Sequence, residues 1–138
     1  MSTNAMTVEV VSPEEVLYSG EATMVITRTV GGGEIAFQPG HAAFLGALQE
    51  CHTRVYLADG SVQDIAVHGG FVEVSNNTVS ILSDSAEMGT AIDIERARAA
   101  RARAEESLRI EQDSEKAGLL GDALRRANAR LQAAGAGD

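Results

Sequence analysis

A chain of 138 residues and 14.4 kDa has room for one domain, or for a compact domain with an appendage. Its 11 Lys and Arg face 20 Asp and Glu, and the resulting charge of −9 argues against general nucleic-acid binding and against docking on anionic lipid. An apolar content of 44% excludes wholesale disorder, the lone Cys51 excludes an intrachain disulfide or a cysteine-based zinc site, and no apolar run approaches the roughly 18 residues of a membrane span.

In chain order, Met1 to Met6 show neither the basic start nor the apolar run of a signal peptide, so we expect a soluble protein in a reducing compartment. Thr7-Val8-Glu9-Val10 alternates in polarity, and Met24-Val25-Ile26-Thr27-Arg28 is rich in β-branched residues. Gly31-Gly32-Gly33 and Pro39-Gly40 then punctuate the chain, so Glu34 and His41 are expected in exposed loops. Arg54-Val55-Tyr56-Leu57 and Ser61-Val62-Gln63-Asp64-Ile65 flank Ala58-Asp59-Gly60, a hairpin signal. Phe71-Val72-Glu73-Val74 and Thr78-Val79-Ser80-Ile81-Leu82 flank a second, Ser75-Asn76-Asn77. Eight or nine short alternating strands predict an antiparallel sandwich or flattened barrel.

Composition changes near Asp84–Met88. Residues 1–86 hold ten acids and two bases, a net −8; residues 87–138 hold ten acids, nine bases and thirteen alanines, a net −1. We therefore divide the chain into a β-domain, 1–86, and a helical hairpin, 87–138. Asp93 is placed to cap the first helix, with Glu95 in its first turn. Ala97, Ala100, Ala104 and Leu108 recur on one face, and Leu120, Leu124, Ala127, Leu131 and Ala134 form the facing seam of a second helix. The stretch from Glu111 to Gly121, with Gly118 and Gly121, reads as the join, and the Ala-Gly-Ala-Gly end after Ala134 as a frayed tail.

Few residues invite chemistry. His41, His52 and His68 lack the paired spacing of metal ligands, and no acidic ligand stands at a fixed offset. Cys51 and the serines have no evident base or orienting group. Gly31–Gly33 is followed by Glu34 rather than by Lys-Ser or Lys-Thr, so it is not a phosphate loop. Glu14-Glu15 and Glu105-Glu106 read as solvated surface. The arginines are more pointed. Arg96 and Arg103 lie about 20° apart around the first helix, and Arg126 and Arg130 are i, i+4 neighbours on the second. An antiparallel pair could bring all four forks to one edge as a polyphosphate site; the alternative is a solubilising face.

Several motifs carry a resemblance. Val10-Val11-Ser12-Pro13-Glu14, Tyr18-Ser19-Gly20-Glu21-Ala22, Gly33-Glu34-Ile35-Ala36-Phe37-Gln38-Pro39-Gly40-His41-Ala42, Ala66-Val67-His68-Gly69-Gly70-Phe71-Val72-Glu73-Val74 and Ile92-Asp93-Ile94-Glu95-Arg96-Ala97 occur in that order. Together they make the chain resemble the epsilon subunit of the bacterial rotary F-type ATP synthase, from about Thr7 to Ala133. Ala36, Phe37 and Ala43 depart from the usual residues of the Gly-Glu motif. The resemblance implies an α+β fold: two five-stranded sheets in a sandwich, then the hairpin. It implies a non-catalytic central-stalk subunit of the proton-translocating enzyme, peripheral on the cytoplasmic face of the plasma membrane, without direct membrane insertion. The implied partners are the gamma subunit, the c ring and, when the hairpin extends, the alpha/beta catalytic hexamer, whose ATP hydrolysis the hairpin inhibits. By position, Glu34 would face the c ring and His41 would lie near gamma. No cofactor is required, but ATP is implied as a regulatory ligand of Glu87, Ile92, Asp93, Arg96, Ala97, Arg103, Arg126 and Arg130. The competing function is an ATP sensor that acts through the hairpin outside any synthase.

Overall fold

The computed structural model describes residues 5–137. The first four residues, part of the stretch read for a signal peptide, and Asp138 lie outside them. Ten strands come first: β1 (Met6–Val11), β2 (Val16–Ala22), β3 (Met24–Thr29), β4 (Gly33–Phe37), β5 (Phe44–Leu48), β6 (Cys51–Tyr56), β7 (Val62–Val67), β8 (Gly70–Ser75), β9 (Thr78–Ser83) and β10 (Ala86–Met88). A 3-10 turn (Gly89–Ala91) leads to α1 (Ile94–Ile110) and α2 (Ser114–Ala133).

The strands hydrogen-bond in the order β10-β7-β6-β3-β5-β8-β9-β1-β2, with β4 also on β3. Between β3 and β5 the register holds one pair only, Thr29 with Leu48. That corner divides the path into two five-stranded layers, β10-β7-β6-β3-β4 and β5-β8-β9-β1-β2. Their inner faces close on one apolar core, in which Phe37, Val25, Val55 and Ile65 of the first layer meet Val8, Val10, Val72 and Ile81 of the second, all wholly buried. The alternation seen in the sequence is this division between core and outer face. The β8–β9 turn puts Asn76 and Asn77 at φ 51° and 60°, the left-handed pair that a two-residue hairpin needs. Asp59 closes the β6–β7 turn by accepting from the Ser61 amide at 2.8 Å.

Four details differ from the sequence reading. The ladder of β1 with β9 is parallel, from Thr7–Thr78 to Val11–Leu82, because β1 enters between β9 and its own hairpin partner β2. β10 runs across the division at residues 86 and 87, pairing with β7 from Ala86–Val67 to Met88–Ile65. Gly118 and Gly121 lie inside α2, not in a join. The turn is only 111–113, and Asp113 caps α2 by accepting from the amides of Glu115 (2.9 Å) and Lys116 (3.2 Å). As far as Ala136 the end of α2 is capped: Gly135 at φ 78° lets the amides of Gly135 and Ala136 reach the carbonyls of Gln132 (3.1 Å) and Leu131 (2.8 Å).

The hairpin lies on the outer face of the first layer. Asp93 caps α1 as expected, accepting from the Arg96 amide at 3.1 Å. Ala97 and Ala104 of the α1 stripe are buried, as are Ala127 and Leu131 of the α2 seam. A second stripe of α2, Ala129 and Ala133, packs with Ile92 on Ala66 of β7. Methyl-to-methyl packing brings helix and sheet close. At Gly89 the approach is closest: a Cβ there would stand 2.1 Å from the Ala133 carbonyl oxygen.

Candidate functional site: a cleft between hairpin and sandwich

A cleft of about 440 Å³ opens where the 3-10 turn and α1 meet β10 and the end of α2. Glu87, Ile92, Asp93, Arg96, Ala97, Arg103 and Arg130 line it, together with Ala91 and Ala100. Seven of the eight positions that the resemblance singled out for ATP thus share one wall-to-wall space. Arg126, a turn earlier on α2 than Arg130, does not line the cleft; its charge acts on His68. The antiparallel hairpin therefore brings three of the four guanidinium groups to one edge.

Glu87 organises the floor. Its Oε2 accepts from Arg130 Nε at 2.5 Å and lies 3.0 Å from His68 Nε2. Burial alone would push this carboxyl up, but the hydrogen bonds from Arg130 and His68 outweigh it and hold the group below the usual carboxylate range. His68 continues the β7–β10 ladder, its amide donating to the Ser85 carbonyl at 2.8 Å. Burial pushes the imidazole down, the Glu87 hydrogen bond works against that, and Arg130 and Arg126 add to the depression. Chemically the cleft offers cationic forks around one carboxylate, a helix N-terminus capped by Asp93, and a small apolar patch from Ile92, Ala97 and Ala100. That suits an anionic ligand with a flat apolar part.

A second cleft, about 400 Å³, lies on the other flank of α2 and is lined by Arg28, Glu34, Glu50, His52, Arg54 and Arg125 among others. Its charges are mostly spent on each other: Arg54 donates to Glu34 and Arg125 to Glu50, each at 3.1 Å, and His52 pairs with Asp64 at 2.7 Å.

Glu34 is not in a loop. It sits in β4 opposite Arg28, half exposed, because the segment Gly33–Phe37 pairs along β3 before the turn at Gln38. His41 is in the following loop, where Nδ1 lies 2.7 Å from the Ala42 carbonyl oxygen and the ring packs edge-on to Phe37 at 4.9 Å. Among the described residues no group of three or more His, Cys, Asp or Glu side chains could hold a metal, and no helix is long and apolar enough to cross a membrane.

One surface escaped the sequence reading. On the outer face of the second layer, the registers align Ala47, Phe71, Leu82, Val11 and Val16 in a single row across all five strands. Phe71 (57%), Leu82 (55%) and Val16 (60%) are largely exposed, as is Leu45 (72%) on the same face of β5. The unbroken apolar run Phe44-Leu45-Gly46-Ala47-Leu48 was the available signal, since a strand with one wet face should alternate.

Residues 5–89 match the family described as ATP synthase, Delta/Epsilon chain, beta-sandwich domain. The chain is 47% identical over 103 residues to the ATP synthase epsilon chain of Brevibacillus brevis, covering 75% of this chain and 77% of that one. It is 42% identical over 133 residues to that of Synechococcus elongatus, covering 95% and 96%, and 37% identical over 131 residues to that of Streptomyces avermitilis, covering 94% of each. The fold is similar to a chain in the structure of the Euglena gracilis mitochondrial ATP synthase OSCP/F1/c-ring, with a TM-score of 0.82 at 21% identity over 95% of this chain and 81% of that one. A sandwich matched along its whole length, and relatives matched through the hairpin as well, leave one assignment: the chain belongs to the ATP synthase epsilon family.

Proposed function

We propose that this chain is a non-catalytic central-stalk subunit of a proton-translocating ATP synthase, peripheral on the cytoplasmic face of the membrane. Its sandwich joins the gamma subunit to the c ring. Its hairpin leaves the sandwich to reach the alpha/beta hexamer and restrain ATP hydrolysis. The observation that carries this reading is the apolar row on the second layer. Large side chains laid side by side on the wet face of a sheet belong to an interface, because monomeric proteins seldom expose so continuous a patch. The row suits gamma, and we assign His41, in the loop that leads into β5, to the same partner. Glu34, on β4 of the other layer, suits the c ring. A free-standing ATP sensor would have no use for such a row.

Regulation rests on the cleft. ATP would set its phosphates against Arg96, Arg103 and Arg130, with Arg126 close behind, and its adenine against Ile92, Asp93 and Ala97. Glu87 would have to yield Arg130 to the phosphates in part. A ligand held by both helices and the sandwich favours the docked hairpin, so ATP relieves inhibition.

The test is co-purification with gamma from the assembled stalk. Wild type should bind at fixed stoichiometry. Phe71→Glu should weaken binding by about 2 kcal/mol or more while leaving the melting temperature near its original value, because the side chain is exposed. Undiminished binding by Phe71→Glu would move the gamma interface elsewhere, and failure of wild type to bind would favour the sensor.

A further inference from the structure

The imidazole of His68 is the one buried side-chain polar group, among the described residues, that keeps an atom without a hydrogen-bond partner. The side chain is only 3% exposed. Nε2 faces the Glu87 carboxylate, and Nδ1 has no hydrogen-bond partner among the described residues. With Nε2 carrying the hydrogen toward Glu87, the neutral ring fits this setting: Nδ1 is then a bare lone pair, the least costly polar atom to bury. A second proton would sit on Nδ1, creating a buried donor with no acceptor and a buried charge.

The cover over His68 is the hairpin. Alternation along β7 and its continuation puts His68 on the same outer face as Ala66, and Ala66 is wholly buried beneath Ala129 and Ala133 of α2. The charged groups facing the ring are Glu87 on β10 and Arg126 and Arg130 on α2. Two of these are cations brought by the hairpin itself. Asp64, also on β7, is engaged by His52.

We infer that the docked hairpin is a proton-released latch: α2 closes over a neutral His68, and protonation of that ring drives the hairpin off the sandwich. Released, the ring regains water, sheds two cationic neighbours and titrates at an ordinary value of about 6.5. If the docked ring stays neutral, the ratio of undocked to docked molecules rises about tenfold between pH 7.5 and pH 5.5. Glu87 acts in the same direction only near the ordinary carboxylate range, about two pH units lower, so the two groups separate. The inference bears on the hairpin to which regulation was assigned above, but it needs neither ATP nor a synthase. A falling cytoplasmic pH would bias the hairpin toward its extended form.

The experiment is an NMR titration of the full-length chain from pH 8 to pH 5, following the His68 ring together with the methyl groups of Ala66, Ala129 and Ala133. We expect ring protonation and separation of the Ala66 methyl from α2 to share one midpoint. His68→Gln, which keeps a donor for Glu87 but does not titrate, should stay docked through that range, and His52→Gln should release like wild type. A ring that protonates while Ala66 stays packed on Ala129 and Ala133 overturns the latch. So does a wild-type hairpin that remains docked to pH 5, a His68→Gln hairpin that undocks at the wild-type midpoint, or a release abolished by His52→Gln. None of these results touches ATP binding or gamma binding, which are read separately.

Discussion

Glu87 does two jobs with one oxygen, accepting from Arg130 on the hairpin and from His68 on the sheet. The arginines around it differ accordingly. Arg130 is already engaged in the docked chain, whereas Arg103 lines the cleft from α1 on an exposed face. Arg103→Ala should therefore weaken ATP without loosening the hairpin. A lost charge-assisted hydrogen bond of about 1.5–3 kcal/mol corresponds to roughly a tenfold to hundredfold rise in Kd, readable by calorimetry. Gly89→Ala should do the reverse. The new methyl would meet the Ala133 carbonyl at 2.1 Å, and neither backbone can move without lifting the end of α2. We expect about 1–3 kcal/mol against docking and an expanded scattering profile, with an intact sandwich. The sequence supplies the arginines by number and spacing, but not which of them is spent. That depends on Glu87, whose partners lie 19 and 43 residues away along the chain.

At the scale of elements, strands and helices were legible because the residues that face the core recur at periods of two and of three to four. Three features were hidden. The three-residue β10 is too short to show a period. Asp113-Ser114-Glu115 is a good N-cap, but Gly118 and Gly121 just after it read as a loop; the capped helix runs through both at a cost near 1 kcal/mol each relative to Ala. The docking stripe, Ala129 and Ala133, is hidden by the abundance of alanine around it. The boundary of the β-domain follows from β10. A fragment ending at Gly89 should melt cooperatively. One ending at Ser85 removes Ala86 and Met88 from the core and bares the β7 edge, and should be less stable by about 2 kcal/mol or more in urea titration. Equal stability of the two fragments would show that β10 belongs to the hairpin.

Taken whole, the molecule is a firm sandwich carrying a lightly held arm. The core joins large aliphatic groups, whereas the arm is fixed by alanine methyls, by Arg130 with Glu87, and by Arg125 with Glu50 on the opposite flank. Its pH dependence has a definite sign. The folded chain holds His68 and Glu87 below their ordinary values, so the unfolded chain binds the extra protons and stability rises with pH. The His68 contribution is complete above about pH 6.5 and is lost as pH falls toward its folded value; that of Glu87 is lost lower still. The melting temperature should thus decline from pH 7 to pH 5, and less steeply in His68→Gln. The pairing of the layers was the least legible feature at this scale. Thr7 stands beside Thr78, a partner that no local pattern can announce. That parallel ladder also sets an order of assembly. During synthesis the β1–β2 hairpin emerges first, but the strand that must lie along β1 is not available until Ser83 has left the ribosome. Until then Val8 and Val10 have no complete core to enter, and the nascent chain presents open strand edges to whatever is near. The sandwich cannot close until its ninth strand lies beside its first, and β10 follows it.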